Sequence, residues 1–252
     1  VAIPYLRRLT AVSRSPQANR HLAYLLTFTA GAVNAGGFLA VQQYTSHMSG
    51  IVSMMADHMA LGGVVVVLQG LAALLSFMAG AASSAFLINF GRRSRLASEY
   101  ALPLLLEAVL LLGFGLLGAN LETLRWFYVP GTVMLLCYIM GLQNAMITKV
   151  SRSEIRTTHV TGMVTDIGIE FGKLFYWNLA KGEAQAMPPV LADRGKLIVL
   201  SVMVSLFFVG GVTGAYSFFN FGFGSTWPLA LLLMLLAAVP IADDIRSFMQ
   251  RA

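Results

Sequence analysis

The sequence predicts an all-α polytopic membrane protein: six transmembrane helices plus two polar re-entrant or partly inserted helices, as a 3+3 inverted repeat. Three observations predict it. Hydrophobic residues make up 57% of the 252 and charged residues 11%, against about 25% charged in soluble domains, and the mean hydropathy is +0.74. Several apolar runs approach the ~20 residues that cross a bilayer. The polar residues that interrupt those runs occur twice, in the same order.

Residues 1–20 carry Arg7, Arg8, Arg14 and Arg20 with no apolar core. They read as a basic cytoplasmic segment and not as a cleavable signal peptide. Apolar segments then follow at 21–44, 45–62, 64–90, 101–119, 126–148, 157–179, 195–221 and 226–242. Six are convincing spans, whereas 45–62 and 157–179 carry clusters of polar and ionisable groups. Basic residues favour the cytoplasmic side, and that bias decides whether those two cross. If both cross, Arg92, Arg93, Arg95, Lys149, Arg152 and Arg156 fall outside. If neither crosses, every Lys and Arg of the seventeen except Arg125 falls inside. Six spans with both termini cytoplasmic are therefore expected, within a single integral membrane domain over 1–252. The net charge of +6 becomes an orientation signal, and no nucleic-acid partner is expected. The partner is the lipid bilayer, and a homo-oligomer is compatible with this reading.

The duplication is explicit. Gly31-Ala32-Val33-Asn34-Ala35 corresponds to Gly141-Leu142-Gln143-Asn144-Ala145, and Thr45-Ser46-His47-Met48-Ser49-Gly50 to Thr157-Thr158-His159-Val160-Thr161-Gly162. Phe77, Gly80, Asn89, Phe90 and Gly91 match Phe208, Gly211, Asn220, Phe221 and Gly222 at a constant offset of 131. The halves are 21–119 and 126–242. Three spans per half is an odd number, so the second half runs opposite to the first. That is the architecture in which secondary transporters place a site between repeats.

The same motifs, Gly31-x-x-Asn34-Ala35-x-Gly37-Phe38 with the two Thr/Ser-His-x-x-Gly blocks, resemble the YoaK-like family of bacterial integral membrane proteins. The resemblance implies a multi-pass protein of the bacterial cytoplasmic (inner) membrane with six spans, and supplies no substrate. Asn34 stands where that family commonly has an acid, and Ile51 where an Asn often follows the Gly.

Candidate chemistry concentrates on the polar helices. Each His follows a hydroxyl pair, Thr45-Ser46 and Thr157-Thr158, which reads as an N-cap. Helix N-termini within a membrane attract anions through exposed N–H groups and the dipole. Facing each other, the two starts would form one site for a small polar or anionic solute. The expected solute contacts are Thr45, Ser46, His47, Thr157, Thr158 and His159, with Asn34 and Asn144; capping, close packing and interhelical hydrogen bonds are the competing structural roles. His159, Asp166, Glu170 and Lys173 share one helical face, and crowded carboxylates there would raise at least one pKa. Glu107 interrupts an apolar span, opposite Leu232 when Pro103 is aligned with Pro228. It is protonated, paired with Arg92 or Arg95, or a coupling group. Asp166, Glu107 and Glu170 are the proton-coupling candidates; charges on a surface helix are the alternative for the helix-borne pair.

Other motifs carry no chemistry. Gly113 to Gly118 fits GxGxxG but lies inside a span without a βαβ context. Gly168/Gly172 and Gly210/Gly214 indicate helix contact. Cys137 is the single cysteine, so neither a disulfide within the chain nor a cysteine metal site is expected. Four scattered His suggest no structural metal, and no cofactor is expected. The leading expectation is a small inverted-repeat transporter or permease, with protons as the candidate coupling ion, and more a carrier than an enzyme. An intramembrane enzyme on a lipid-like substrate, or a non-catalytic membrane scaffold, are the alternatives.

Overall fold

A computed structural model describes Leu9 and residues 15–118, 125–150, 157–176 and 188–250. Arg7, Arg8, Arg14, Arg152, Arg156, Lys181 and Arg251, among the seventeen basic residues used above for orientation, lie outside the described residues. Among those described, the chain is helical with no strand.

Local sequence explains where the helices start and stop. Helix α1 (Pro16–Val41) has Ser15 at its N-cap, accepting from Ala18 N at 3.2 Å, and Pro16 at its first position, both standard start devices. It stops at Gln42, whose φ of 57° is left-handed. Helix α2 (Met48–Ala60) is short and gives way at Gly62, φ 77°. Helices α3 (Val64–Arg93), α4 (Ala101–Gly118), α5 (Arg125–Val150) and α6 (Val160–Phe175) follow. Asp193 caps α7 (Arg194–Phe221) by accepting from Lys196 N at 2.9 Å. A 3-10 turn over Gly222–Ser225, opened by Gly222 at φ 56°, separates α7 from α8 (Thr226–Met249).

Four helical stretches are long and apolar enough to cross a membrane: Pro16–Val41, Val64–Arg93, Pro130–Lys149 and the run Arg194–Met249. That run of 56 residues contains both α7 and α8, and Ala101–Leu116 is a shorter apolar helix. Four stretches of this kind among the described residues stand against the six spans expected from the sequence.

Helices pack in pairs. α1 lies on α7, α3 on α5 and α4 on α8. The first two pairs are joined backbone to backbone through glycine. A side chain at Gly31 would strike the Phe207 carbonyl, one at Gly210 the Phe28 carbonyl, and one at Gly214 Ala32. In the other pair, Gly141 meets the Phe77 carbonyl and Gly80 the Tyr138 carbonyl. Small residues permit this approach where apolar surroundings give no hydrophobic drive for association. The contacts also set directions. Phe28 with Gly210 and Ala32 with Gly214 rise together, so α1 and α7 are parallel. Gln143 Nε2 donates to Leu26 O at 3.3 Å while Gly37 meets Leu136, so α5 runs against α1. Asp244 accepts from Ala97 N at 2.8 Å and Ser98 N at 2.9 Å, while Gly115 meets Thr226; α4 and α8 are antiparallel. The second GxxxG pair thus makes its helix contact, but Gly168 and Gly172 have nothing within 4 Å.

The polar helices are peripheral. α2 buries Ile51 and packs on α3; α6 buries Met163 and Glu170 and packs on α7. Outward faces carry large apolar side chains such as Phe86 and Phe208, about 70% exposed, which suits hydrocarbon and not water. Burial along α3 and α7 corresponds at 130 residues: Gly70 with Leu200, Ala73 with Met203, Gly80 with Gly210, Ser84 with Gly214. Over residues 70–84 this burial pattern runs one residue short of the offset of 131 read from the sequence.

Candidate functional site

Each polar helix is preceded by a short segment pinned to an asparagine. Asn34, buried on α1, accepts at Oδ1 from Ser46 Oγ at 2.8 Å and Ser46 N at 3.3 Å. Asn144 on α5 accepts at Oδ1 from Thr158 Oγ1 at 2.8 Å, and its Nδ2 donates to Met140 O at 2.8 Å. The amides are hydrogen-bonding posts that fix where α2 and α6 begin.

This arrangement corrects the expected capping. The N-cap residues are His47 and His159, and neither makes a side-chain cap hydrogen bond. Ser46 and Thr158 are drawn sideways to the asparagines, which outcompete the helix start for the hydroxyls. Thr45 and Thr157 are fully buried, and their Oγ1 atoms have no partner among the described residues. Each imidazole instead lies over the glycine three residues on, occupying the space a side chain at Gly50 or Gly162 would need.

Both helix starts open on one cavity of about 1310 Å³. Asn34, Ser46 and His47 line it, as do Asn144, Thr158 and His159. Phe77 of α3 and Phe207 of α7 contribute apolar wall. The contacts of Leu26 with Gln143 and Gly37 with Leu136 put Asn34 level with about residues 135–139 of α5, roughly five to nine residues before Asn144. At 1.5 Å per residue the two polar clusters are separated by about 10 Å along the helix axes. Six of the eight expected solute contacts therefore line a single space. Thr45 and Thr157 do not line it but adjoin residues that do.

The three acids are elsewhere. Asp166 pairs with Lys196 at 3.0 Å on the flank of α7. Glu170 accepts from Lys173 Nζ at 2.8 Å and Asp193 N at 2.7 Å. The expectation that crowding raises one of these pKa values is corrected for Glu170. The Lys173 hydrogen bond, then that from the Asp193 backbone, holds its carboxyl below the usual range. α7 and its cap supply the Lys196 ammonium to Asp166 and the Asp193 N–H to Glu170, while Lys173 of α6 itself pairs with Glu170. Of the stripe His159, Asp166, Glu170 and Lys173, the cavity takes His159.

Glu107 is fully buried, about midway along α4, and neither carboxyl oxygen has a partner among the described residues. Arg92 does not reach it: its contacts are Glu99 at 3.5 Å and the Tyr100 hydroxyl at 3.3 Å. Burial on α4 and α8 corresponds at 129 residues, with Ala101/Ala230, Leu104/Leu233, Ala108/Ala237 and Leu111/Pro240. By that burial pattern Glu107 pairs with Leu236, whereas aligning Pro103 with Pro228 pairs it with Leu232.

Sequence reasoning missed Tyr44, Thr148, Lys149 and Phe207, all of which line the cavity. Thr148 lies one helical turn after Asn144, a spacing that could have found it. Lys149 served only as an orientation charge. Among the described residues no three His, Cys, Asp or Glu come together as a metal site.

A family model described as "Protein of unknown function (DUF1275)" matches residues 22–239. No curated protein and no solved structure matches.

Proposed function

The chain belongs to the DUF1275 family, and on that premise we propose that it is a small permease of a bacterial cytoplasmic membrane, carrying a small polar or anionic solute through the cavity between its halves. The observation that carries this is the pair of matched polar clusters, Asn34–Ser46–His47 and Asn144–Thr158–His159, lining one space. A cavity with the same polar equipment at two levels suits a solute approached from either side.

The proposal includes six spans, both termini cytoplasmic, and a 3+3 inverted repeat. The pairwise packing supports it. The α1/α7 and α3/α5 contacts use corresponding glycines against corresponding carbonyls, Gly31 and Gly141 on Phe207 and Phe77. α1 and α7 are parallel, and so are α3 and α5, where Val65 to Ala72 adjoins Pro130 to Met134 and Phe77 adjoins Gly141; α1 and α5 oppose one another, as a repeat inverted across the membrane requires. α2 and α6, each buried at a single apolar residue and packed on the following helix, are read as re-entrant or interfacial. The YoaK-like resemblance is consistent with the family model. For proton coupling we retain Glu107, a buried carboxyl in an apolar helix with no partner among the described residues. Asp166 and Glu170 we assign to holding α6 against α7.

Two experiments test the reading. Purified protein in liposomes should carry at least one solute of a broad polar panel, and His47→Gln with His159→Gln should each reduce that flux; a panel with no flux at all would count decisively against a permease. A cysteine at Ser94, which is exposed, should react only with reagent on the cytoplasmic side. Reaction from outside would remove the six-span topology.

A further inference from the structure

The charge of the cavity is one-sided. Lys149, His47 and His159 line it, and among the described residues no Asp or Glu does. Four acids outside it are engaged by other groups: Asp166 with Lys196, Glu170 with Lys173, Glu99 with Arg92, and Asp244 with backbone N–H groups. The wall also receives the beginnings of two helices without side-chain caps, α2 at Met48 and Ser49 and α6 at Val160 and Thr161. The positive ends of both dipoles therefore face the same space. A cation entering would meet an ammonium and two positive helix ends, with no carboxylate among the described lining residues to compensate.

The two ends of the cavity are unequal. Asn34 and Asn144 correspond at 110 residues, which puts Leu39 in the position of Lys149. The cluster around His159 thus has a fixed cation that the cluster around His47 lacks. Two neutral donors there are already engaged: the Thr158 hydroxyl goes to Asn144 Oδ1, and Asn144 Nδ2 goes to Met140 O. What remains at that end is Lys149 Nζ, the Thr161 hydroxyl, the His159 ring and the first-turn N–H groups of α6. That is a set of donors.

We propose that the solute is a small oxyanion, and that Lys149 is the residue that selects its charge, at the His159 end of the cavity. This names the substrate class of the permease proposed above and rests on that reading for its use in transport, though not for binding. Lys149 supplies the charge that pairs with carboxylate-type oxygens as a compact, mobile donor, and a ring or end of basic side chains is the usual device for anion selectivity.

Binding to the purified full chain in detergent, by calorimetry at constant ionic strength, tests it with sodium acetate, sodium nitrate and sodium phosphate as probes. At least one should bind saturably to the wild type. Lys149→Gln should weaken that binding about tenfold or more, the loss of one charge-assisted hydrogen bond, and Lys149→Arg should recover most of it. Equal thermal stability of the three proteins without anion verifies folding, and recovery by Arg covers the case in which Gln perturbs it. No saturable binding of any probe, or equal binding by Lys149→Gln, overturns the proposal. Anion binding with no flux would sink the permease reading and leave the anion site standing. Flux of an uncharged solute or a cation, unaffected by Lys149→Gln, would do the reverse.

Discussion

Asn34 holds Ser46 by two groups at once, its Oδ1 accepting the hydroxyl at 2.8 Å and the backbone N–H at 3.3 Å. The post at Asn34 is what sets the first residue of α2, because the loop between them has no other side-chain anchor of this kind described. Asn34→Leu strands a half-buried N–H and hydroxyl, at a cost of about 1–3 kcal/mol. Asn34→Asp keeps an acceptor in place, so Ser46 should stay anchored. Thermal unfolding of both variants, with His47 reactivity toward diethyl pyrocarbonate as a local readout, separates the two outcomes.

The glycines of the paired helices differ sharply in what surrounds them. Gly80→Ala and Gly210→Ala would each drive a methyl group into a partner backbone carbonyl. Overpacking of this sort costs about 1–3 kcal/mol, read as a lowered unfolding temperature. Gly168→Ala, with nothing within 4 Å, should be neutral or stabilise α6 by up to about 1 kcal/mol. Equal loss at Gly168 and Gly210 would contradict the packing described.

Glu107 is fully buried on α4 with neither carboxyl oxygen partnered among the described residues. Glu107→Leu removes two buried, unpartnered oxygens and should raise stability by roughly 1–3 kcal/mol. If the carboxyl couples protons, the same variant loses the dependence of flux on a pH gradient. A destabilised Glu107→Leu would mean that the carboxyl has a partner after all.

Glu170 ties α6 to the start of α7 through Lys173 and the Asp193 N–H, and its folded pKa is depressed. A depressed carboxylate stabilises the fold at pH values above its unfolded pKa, about 4.3. The contribution disappears as pH falls through the lower folded value. Hydrogen exchange of α6, corrected for intrinsic rates, should therefore be steady from neutrality down to about pH 4.3 and rise below it. Glu170→Gln should exchange faster at neutrality and lose that acid-limb response.

Much of the site is legible because its residues sit in two short, repeated windows. Asn34 with Ser46 and Asn144 with Thr158 are close enough in sequence for the duplication to display them. The register of the later block is not legible, for a local reason. Phe207-Phe208 and Gly210-Gly211 are doubled, so a one-residue slip still matches Phe77 and Gly80. Only burial separates the cavity-lining Phe207 from the outward Phe208. The acids fail differently. Helical spacing groups Asp166 with Glu170, but it says nothing of Lys196 and Asp193 arriving from the next helix. The hydroxyl pairs mislead because a capping rule considers the nearest backbone, and an asparagine twelve or fourteen residues upstream wins the hydrogen bond.

The glycine contacts have a mechanical side. A joint made of main chain against main chain has no side chains to change rotamer, and sliding it by one residue would drive a carbonyl into the opposite helix. The α1/α7 and α3/α5 pairs are therefore stiff blocks, each built from one helix of either half. Asn34 and Phe207 ride on one block, Asn144 and Phe77 on the other. Any change in the width of the cavity is a change in the seam between two levers, and each lever carries one polar post and one aromatic ring.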